Sequence, residues 1–149
     1  MNNRKSKDEY YLNIAKAVLE RSTCLRRKYG AVIVRDDEII STGYNGSPRG
    51  DVNCCEVGYC FRQHENIPHG QRYEAYRSVH AEMNAIISAS RRDMIGSTLY
   101  LAGIQANGSH VEDIAPCSIC QRLIVNSGIL FVVTRKNDGS IYRKEINHE

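Results

Sequence analysis

No stretch of the 149 residues approaches the ~20 consecutive apolar residues that cross a bilayer, so a membrane partner is not expected. Residues 1–8 are polar and lack an apolar core, so no secretory signal is expected either. Charge of one sign is equally scarce: 20 Lys and Arg against 17 Asp and Glu leave a formal net charge of +3. That excess is too small for a nucleic-acid surface, although a local basic cluster for one phosphate is compatible with it. Internal repeats and low-complexity segments are absent. Hydrophobic residues at 42% and charged residues at 25% exclude a disordered chain. The length suits a single domain spanning 1–149, large enough to hold its core without disulfides.

What is present is cysteine, six of them. Without an export signal they point to a reducing compartment, by default the cytoplasm, where thiols serve as metal ligands or nucleophiles more often than as staples.

Hydrophobic periodicity predicts the elements. Tyr10, Ile14, Ala17 and Val18 form one stripe of an amphipathic helix over 9–21. The apolar run 31–34, the turn Asp36-Asp37 and the run 39–42 read as a hairpin. Residues 43–51, with three glycines, Asn45 and Pro48, read as a loop. Residues 52–70 hold Cys54, Cys55, Cys60, His64 and His69 without periodicity, either an irregular metal-bound segment or a surface excursion. A helix follows over 78–92, with Ala81, Ala85, Ile86 and Ala89 at helical spacing, then a strand over 97–102. Residues 103–115 contain Asn107-Gly108 and read as a projecting loop or small hairpin. Pro116 opens a second patterned helix, closed by Gly128. Strands over 129–134 and 140–146 flank the turn Asp138-Gly139. Strands alternating with helices predict an α/β class, a three-layer α/β/α sandwich with a mixed five-stranded sheet. The first and last strand pairs are joined by too few residues for a crossover and are expected antiparallel, the middle strands parallel.

Two fragments carry chemistry: His80-Ala81-Glu82 and Pro116-Cys117-Ser118-Ile119-Cys120. Alone, Cys-x-x-Cys suits a redox pair or two core cysteines, and His-x-Glu occurs by chance in many helices. Together, each at a helix start, they match the zinc-deaminase signature H-x-E…P-C-x-x-C. Zinc in a hydrolytic site takes three protein ligands and leaves one position for water. One imidazole and two thiolates, His80, Cys117 and Cys120, supply them. The two cysteines lie about one helical turn apart, near a helix start that favours thiolate over thiol. Glu82 stands two residues from His80, which on an ideal helix would turn the two apart, so the pair needs an irregular first turn. Its role there is proton shuttle between the attacking water and the leaving amine. An exposed first-turn carboxylate is the plainer alternative.

Arg21-Ser22-Thr23-Cys24, Gly30-Ala31-Val32-Ile33-Val34, Thr42-Gly43-Tyr44-Asn45-Gly46-Ser47-Pro48, His80-Ala81-Glu82-Met83-Asn84-Ala85 and the 116–120 motif together resemble the deoxycytidylate (dCMP) deaminases, from about residue 8 to 134. Tyr44-Asn45-Gly46 favours this branch over other cytidine deaminase-like enzymes. The resemblance implies the cytidine deaminase sandwich, hydrolysis of dCMP to dUMP and ammonia, a homo-oligomer that is commonly a hexamer, and regulation by dCTP and dTTP. It assigns His80, Cys117 and Cys120 to zinc and Glu82 to the proton shuttle. Asn45 would bind the sugar or neighbouring polar atoms, and the Ala81 backbone amide and the Ala31-Val32 strand end would border the base. Asn45 reads equally as a turn residue tolerating positive φ. Arg26, Arg27 and Lys28 precede the first strand and Arg49 sits in the loop. Arg26 is the candidate for the phosphate, since a planar guanidinium suits it, with a solvated basic turn as the alternative.

The resemblance also implies a second, structural zinc on Cys24 and Cys54, completed by Cys60, Cys55 or His64, with free buried cysteines as the competing reading. Tyr73 and Tyr76 stand in a stretch where relatives carry His or Cys. Two further departures are the long 103–115 segment and the short 135–138 turn. The latter predicts an antiparallel last strand, as in nucleoside-type cytidine deaminases. Other readings are the same chemistry on cytidine, cytosine or a modified pyrimidine. A tRNA adenosine substrate is disfavoured by the low charge. A different class is a non-catalytic zinc module, which expects a closed four-ligand site and has no use for Glu82.

Overall fold

A computed structural model describes residues 3–59, 65, 66, 68, 78–111 and 114–147. Strands β1 (Arg27–Arg35) and β2 (Glu38–Tyr44) form the expected hairpin. Asp36 and Asp37 both take left-handed backbone, φ 51° and 62°, the geometry in which a two-residue turn follows the twist of its strands. β1 begins earlier than its apolar run. Arg27 and Lys28, expected ahead of the strand, are its first residues because β3 (Thr98–Gln105) offers them partners, Gln105 opposite Arg27 and Ile104 opposite Lys28. β4 (Phe131–Arg135) pairs parallel with β3, and β5 (Ile141–Glu145) antiparallel with β4. The order β2-β1-β3-β4-β5 is a mixed five-stranded sheet with the expected antiparallel first and last pairs. Of the middle pairs, expected parallel, only β3–β4 is so; β1–β3 is antiparallel, because the long connection after β2 returns the chain beside β1 and not beside β2, the strand to which β3 runs parallel.

Helix α1 (Lys7–Leu19) covers one face. Ser6 caps it, its hydroxyl accepting the Glu9 N–H at 3.1 Å, and the helix starts two residues earlier than expected. Its buried stripe is Tyr11, Leu12, Ala15 and Leu19; of the expected stripe, Ile14 and Val18 pack at the margin of that core, while Tyr10 is 53% exposed and Ala17 lies outside, which corrects those two. Both stripes satisfy a 3.6-residue period. Gly30 decides between them: a β-carbon there would collide with the Ala15 carbonyl oxygen and stand 2.8 Å from the Leu19 N, so the Ala15–Leu19 side of the helix rests directly on β1. Tyr11, Leu12 and Ala15 pack on Val32, Val34, Tyr100 and Val133.

The opposite face carries Ala31, Ile33, Leu99, Leu101 and Val132. Over it lie α3 (Ala81–Ile87), α4 (Arg91–Met94) and α5 (Ser118–Ser127); a short α2 (Cys54–Val57) precedes them. The single helix expected over 78–92 is therefore two. Ser90 interrupts it by accepting the Asp93 N–H at 3.2 Å, a new N-cap that starts α4. Ala81, Ala85, Met94 and Ile124 complete the core on this side. Glycine again sets the spacing: a β-carbon on Gly43 would collide with Ala81 O and Ala85 N, so α3 sits on the bare backbone of β2. Asp8 ties three elements together, accepting Tyr100 Oη at 2.7 Å and Arg143 at 3.2 Å, while the Arg143 guanidinium lies 4.2 Å from the Phe131 ring centroid.

Candidate active site

The starts of α3 and α5 meet where β2 and β3 end and β1 begins. His80 caps α3 with extended backbone (φ −70°, ψ 153°) and Cys117 caps α5 in the same way (φ −67°, ψ 169°). The Cys117 sulfur accepts the Cys120 N–H at 3.4 Å, as a Ser or Asp cap would. Pro116 therefore lies outside the helix that it was expected to open. Further hydrogen bonds set the height of α3: the Gly46 and Val79 backbones bond each other at 2.7 and 3.2 Å, and Asn84 Nδ2 donates to Tyr44 O at 2.8 Å.

This docking brings together the three predicted ligands. His80 Nδ1 lies 3.3 Å from Cys120 Sγ and 3.4 Å from Cys117 Sγ, and the three donor atoms lie within 4.8 Å of one another. Among the described residues this is the one group of His, Cys, Asp or Glu placed to hold a metal. One imidazole nitrogen and two sulfurs form a zinc donor set that leaves a coordination position open. The two thiols pull each other's proton affinities apart. Hydrogen bonding from Cys120, and then from His80, pulls Cys117 down to about 3 against its burial. The bond to Cys117 and then burial push Cys120 up. A dication is the partner that stabilises both sulfurs as thiolates.

Glu82 is 6% exposed and sits in the first turn of α3. His80 precedes the helix in extended conformation, so the two-residue offset does not turn the carboxyl away from the cluster. Burial raises the Glu82 carboxyl, opposed by a hydrogen bond from its own backbone, by His80 and by a hydrogen bond with Cys120. A buried carboxyl with elevated proton affinity in contact with a metal-ligand cluster is suited to accepting and returning protons.

Asn45 is 3% exposed, and its φ is not positive. Its Oδ1 accepts from Ser22 Oγ at 2.6 Å and Tyr29 N at 2.8 Å, and its Nδ2 donates to Arg27 O at 2.9 Å. The side chain thus clamps the start of β1 and keeps one amide N–H beyond these bonds. Ala81 and Ala31 are fully buried, and Gly43 pairs with Ala31 in the sheet. Arg26 is half-buried in the bend before β1. Cys24 is buried and Cys54 begins α2; the Cys55 N–H bonds Thr23 O at 3.2 Å, joining their two segments. Cys60, His64, His69, Tyr73 and Tyr76 lie outside the described residues.

Three residues have a part here that the sequence did not indicate, Arg27 having been read only as one of the basic residues around the phosphate candidate. Ser22 and Arg27 complete the Asn45 clamp, and Arg27 Nε also donates to Gln105 Oε1 at 3.3 Å. Tyr29 is the third: burial raises its phenol against a hydrogen bond from Arg27, with Glu82 and Cys24 as electrostatic neighbours. Strand alternation was the available signal, because 27, 29 and 31 share one face. Beyond β3 the chain makes the small hairpin expected around Asn107-Gly108, with Gln105 N bonded to Ser109 O at 2.7 Å and Ile104 bridged to His110.

The family described as the cytidine and deoxycytidylate deaminase zinc-binding region matches residues 5–136. The chain belongs to that family. It is 40% identical over 134 residues to the deoxycytidylate deaminase of Mycobacterium phage D29, covering 87% of this chain and 94% of the relative. The deoxycytidylate deaminase of Schizosaccharomyces pombe is 36% identical over 130 residues, but there the chain spans 37% of the relative's length. Among solved structures, the dCMP deaminase of cyanophage S-TIM5 in complex with dCMP and dUMP superposes with a TM-score of 0.59 at 25% identity, covering 91% of this chain and 90% of that one. This deaminase is an enzyme with the cytidine deaminase-like α/β fold, and zinc is its cofactor. Among the described residues no helix is long and apolar enough to cross a membrane.

Proposed function

We propose that the protein hydrolyses dCMP to dUMP and ammonia, with His80, Cys117 and Cys120 holding zinc and Glu82 moving the protons. The observation that carries this is a buried carboxyl, Glu82, set against a three-donor cluster with room for a fourth ligand. A closed structural zinc site has no use for that carboxyl. Zinc, when bound, supplies the Lewis acidity that makes water nucleophilic at neutral pH. Glu82 takes a proton from the attacking water and delivers it to ring N3, then carries the water's second proton to the exocyclic nitrogen as the carbon–nitrogen bond breaks and ammonia leaves, and the water oxygen stays on the ring carbon as the carbonyl. The Ala81 backbone amide and Ala31 border the flat base, the remaining Asn45 N–H faces the sugar, and Arg26 pairs with the phosphate. Relatives named for this substrate, and a relative's complex with dCMP and dUMP, support the nucleotide assignment.

The same reading covers one domain over 1–149, acting in the cytoplasm as a homo-oligomer, a hexamer, with dCTP and dTTP as effectors. Sedimentation tests the oligomer, a monomer at working concentration counting against it. A second zinc on Cys24, Cys54 and Cys60 belongs to this proposal and calls for two zinc ions per chain by metal analysis. One observation favours a nucleoside instead: the antiparallel β5 resembles that of nucleoside-type enzymes. Ultraviolet absorbance and ammonia release are followed with zinc-replete protein on dCMP, CMP, deoxycytidine and cytosine in parallel. Preferential loss of dCMP is expected. Turnover of deoxycytidine without dCMP turnover would replace the nucleotide assignment and leave the zinc chemistry standing.

A further inference from the structure

Tyr29 is a polar group beside Glu82 that the chemistry above does not use. On β1, Tyr29 shares a face with Ala31 and Ile33, the face on which α3 and α5 pack, and it belongs to the margin of that core. Opposite Tyr29 in the β1–β3 ladder is Gly103. A β-carbon on Gly103 would stand 2.8 Å from Cδ1 and Cε1 of the Tyr29 ring and 3.0 Å from Ile114 Cδ1. The ring therefore lies across the bare backbone of β3, against the residue that leads into the Pro116–Cys120 motif. Its backbone is held on both sides by Asn45, which accepts the Tyr29 N–H at 2.8 Å through Oδ1 and donates its own N–H to Tyr29 O at 3.3 Å. The Arg27 guanidinium favours the ionised phenol and Glu82 the neutral one, so both groups act on the hydroxyl. Arg27 is itself anchored by Gln105 at 3.3 Å. Ring and backbone are thus fixed, while the residue is only half-buried.

A base bordered by Ala31, with its reacting carbon at Glu82, extends outward along β1. Tyr29 stands two residues further out, roughly 7 Å along the strand, the offset at which the sugar of a nucleotide follows its base. We propose that Tyr29 is a specificity-determining residue whose hydroxyl, carried by a ring held against Gly103, hydrogen-bonds the 3′-hydroxyl of the deoxyribose. This rests on the dCMP reading above.

The test is Tyr29→Phe, which keeps the ring against Gly103 and Ile114 and removes only the hydroxyl. Steady-state kinetics on dCMP are expected to show KM raised about three- to tenfold, the effect of one neutral hydrogen bond, with kcat within about twofold and the melting temperature unchanged. The same pair of enzymes is compared on 2′,3′-dideoxycytidine monophosphate, which lacks the 3′-hydroxyl. There the wild type and the variant are expected to share one KM. A variant with the wild-type KM on dCMP overturns the proposal, as does a KM increase that persists on the dideoxy substrate. A wild-type enzyme that leaves dCMP unchanged overturns instead the proposed function and this inference with it.

Discussion

A thiol can cap a helix and bind a metal, and Cys117 is placed to do both. Its sulfur takes the Cys120 N–H while standing 3.4 Å from His80 Nδ1. The helix start therefore pre-orients the sulfur before any ion arrives. Asn45 shows the converse, a residue named for the substrate that also fastens the strand beneath it. On the other face Tyr11 illustrates titration linked to folding. Burial, and then its 2.5 Å hydrogen bond to Asp37, push the phenol from 10.0 to about 12. Because the folded state holds this proton more tightly than the unfolded chain, the contribution is complete below pH 10 and disappears as pH rises through about 12. Tyr11→Phe is therefore expected to lower the melting temperature at pH 8. The gap from wild type should close between pH 10 and 12, read by thermal unfolding across pH. A gap that is constant with pH contradicts the assigned linkage.

Helix placement depends on glycine as much as on hydrophobic pattern. Gly43→Ala puts a methyl group into the backbone of α3, which cannot yield as a flexible side chain would. It is expected to destabilise the fold by about 1–3 kcal/mol and also to reduce zinc content, because His80 caps that helix. Gly30→Ala, equally crowded by α1 on the opposite face, is expected to destabilise without lowering the zinc content of the folded fraction. Denaturant unfolding with metal analysis separates the two. Equal zinc content in both variants would show that α3 docking does not set the ligand cluster. The same contacts explain what the sequence revealed about the elements. The His80 and Cys117–Cys120 fragments were legible because capping residues and metal donors act locally, and the strands because their apolar runs are short and bounded. The α1 stripe was not, since a steric contact with Gly30, distant in sequence, chooses between two stripes of equal period. The break at Ser90 was hidden for a related reason: apolar spacing continued through it while a single cap bond ended the helix. Tyr29 emerged only once the β1–β3 register placed it on the face of the cluster, and the same register turned Arg27 from one of several basic residues into a neighbour of that face.

At the scale of the whole molecule, the sheet is covered on two faces and the chemistry is gathered at one end of it. A metal held by the caps of two different helices links α3 to α5, so it should contribute to stability as well as to catalysis. A strong chelator is expected to lower the melting temperature and stop turnover, and added zinc to restore both; loss of activity with an unchanged melting temperature would mean that the ion is not what joins the helices. The most direct test of the account is dCMP turnover by Glu82→Gln, measured beside its zinc content. A fall of about 10²–10⁴-fold with zinc retained is expected for loss of the proton shuttle. Turnover at the wild-type rate in a zinc-loaded Glu82→Gln protein would contradict the mechanism.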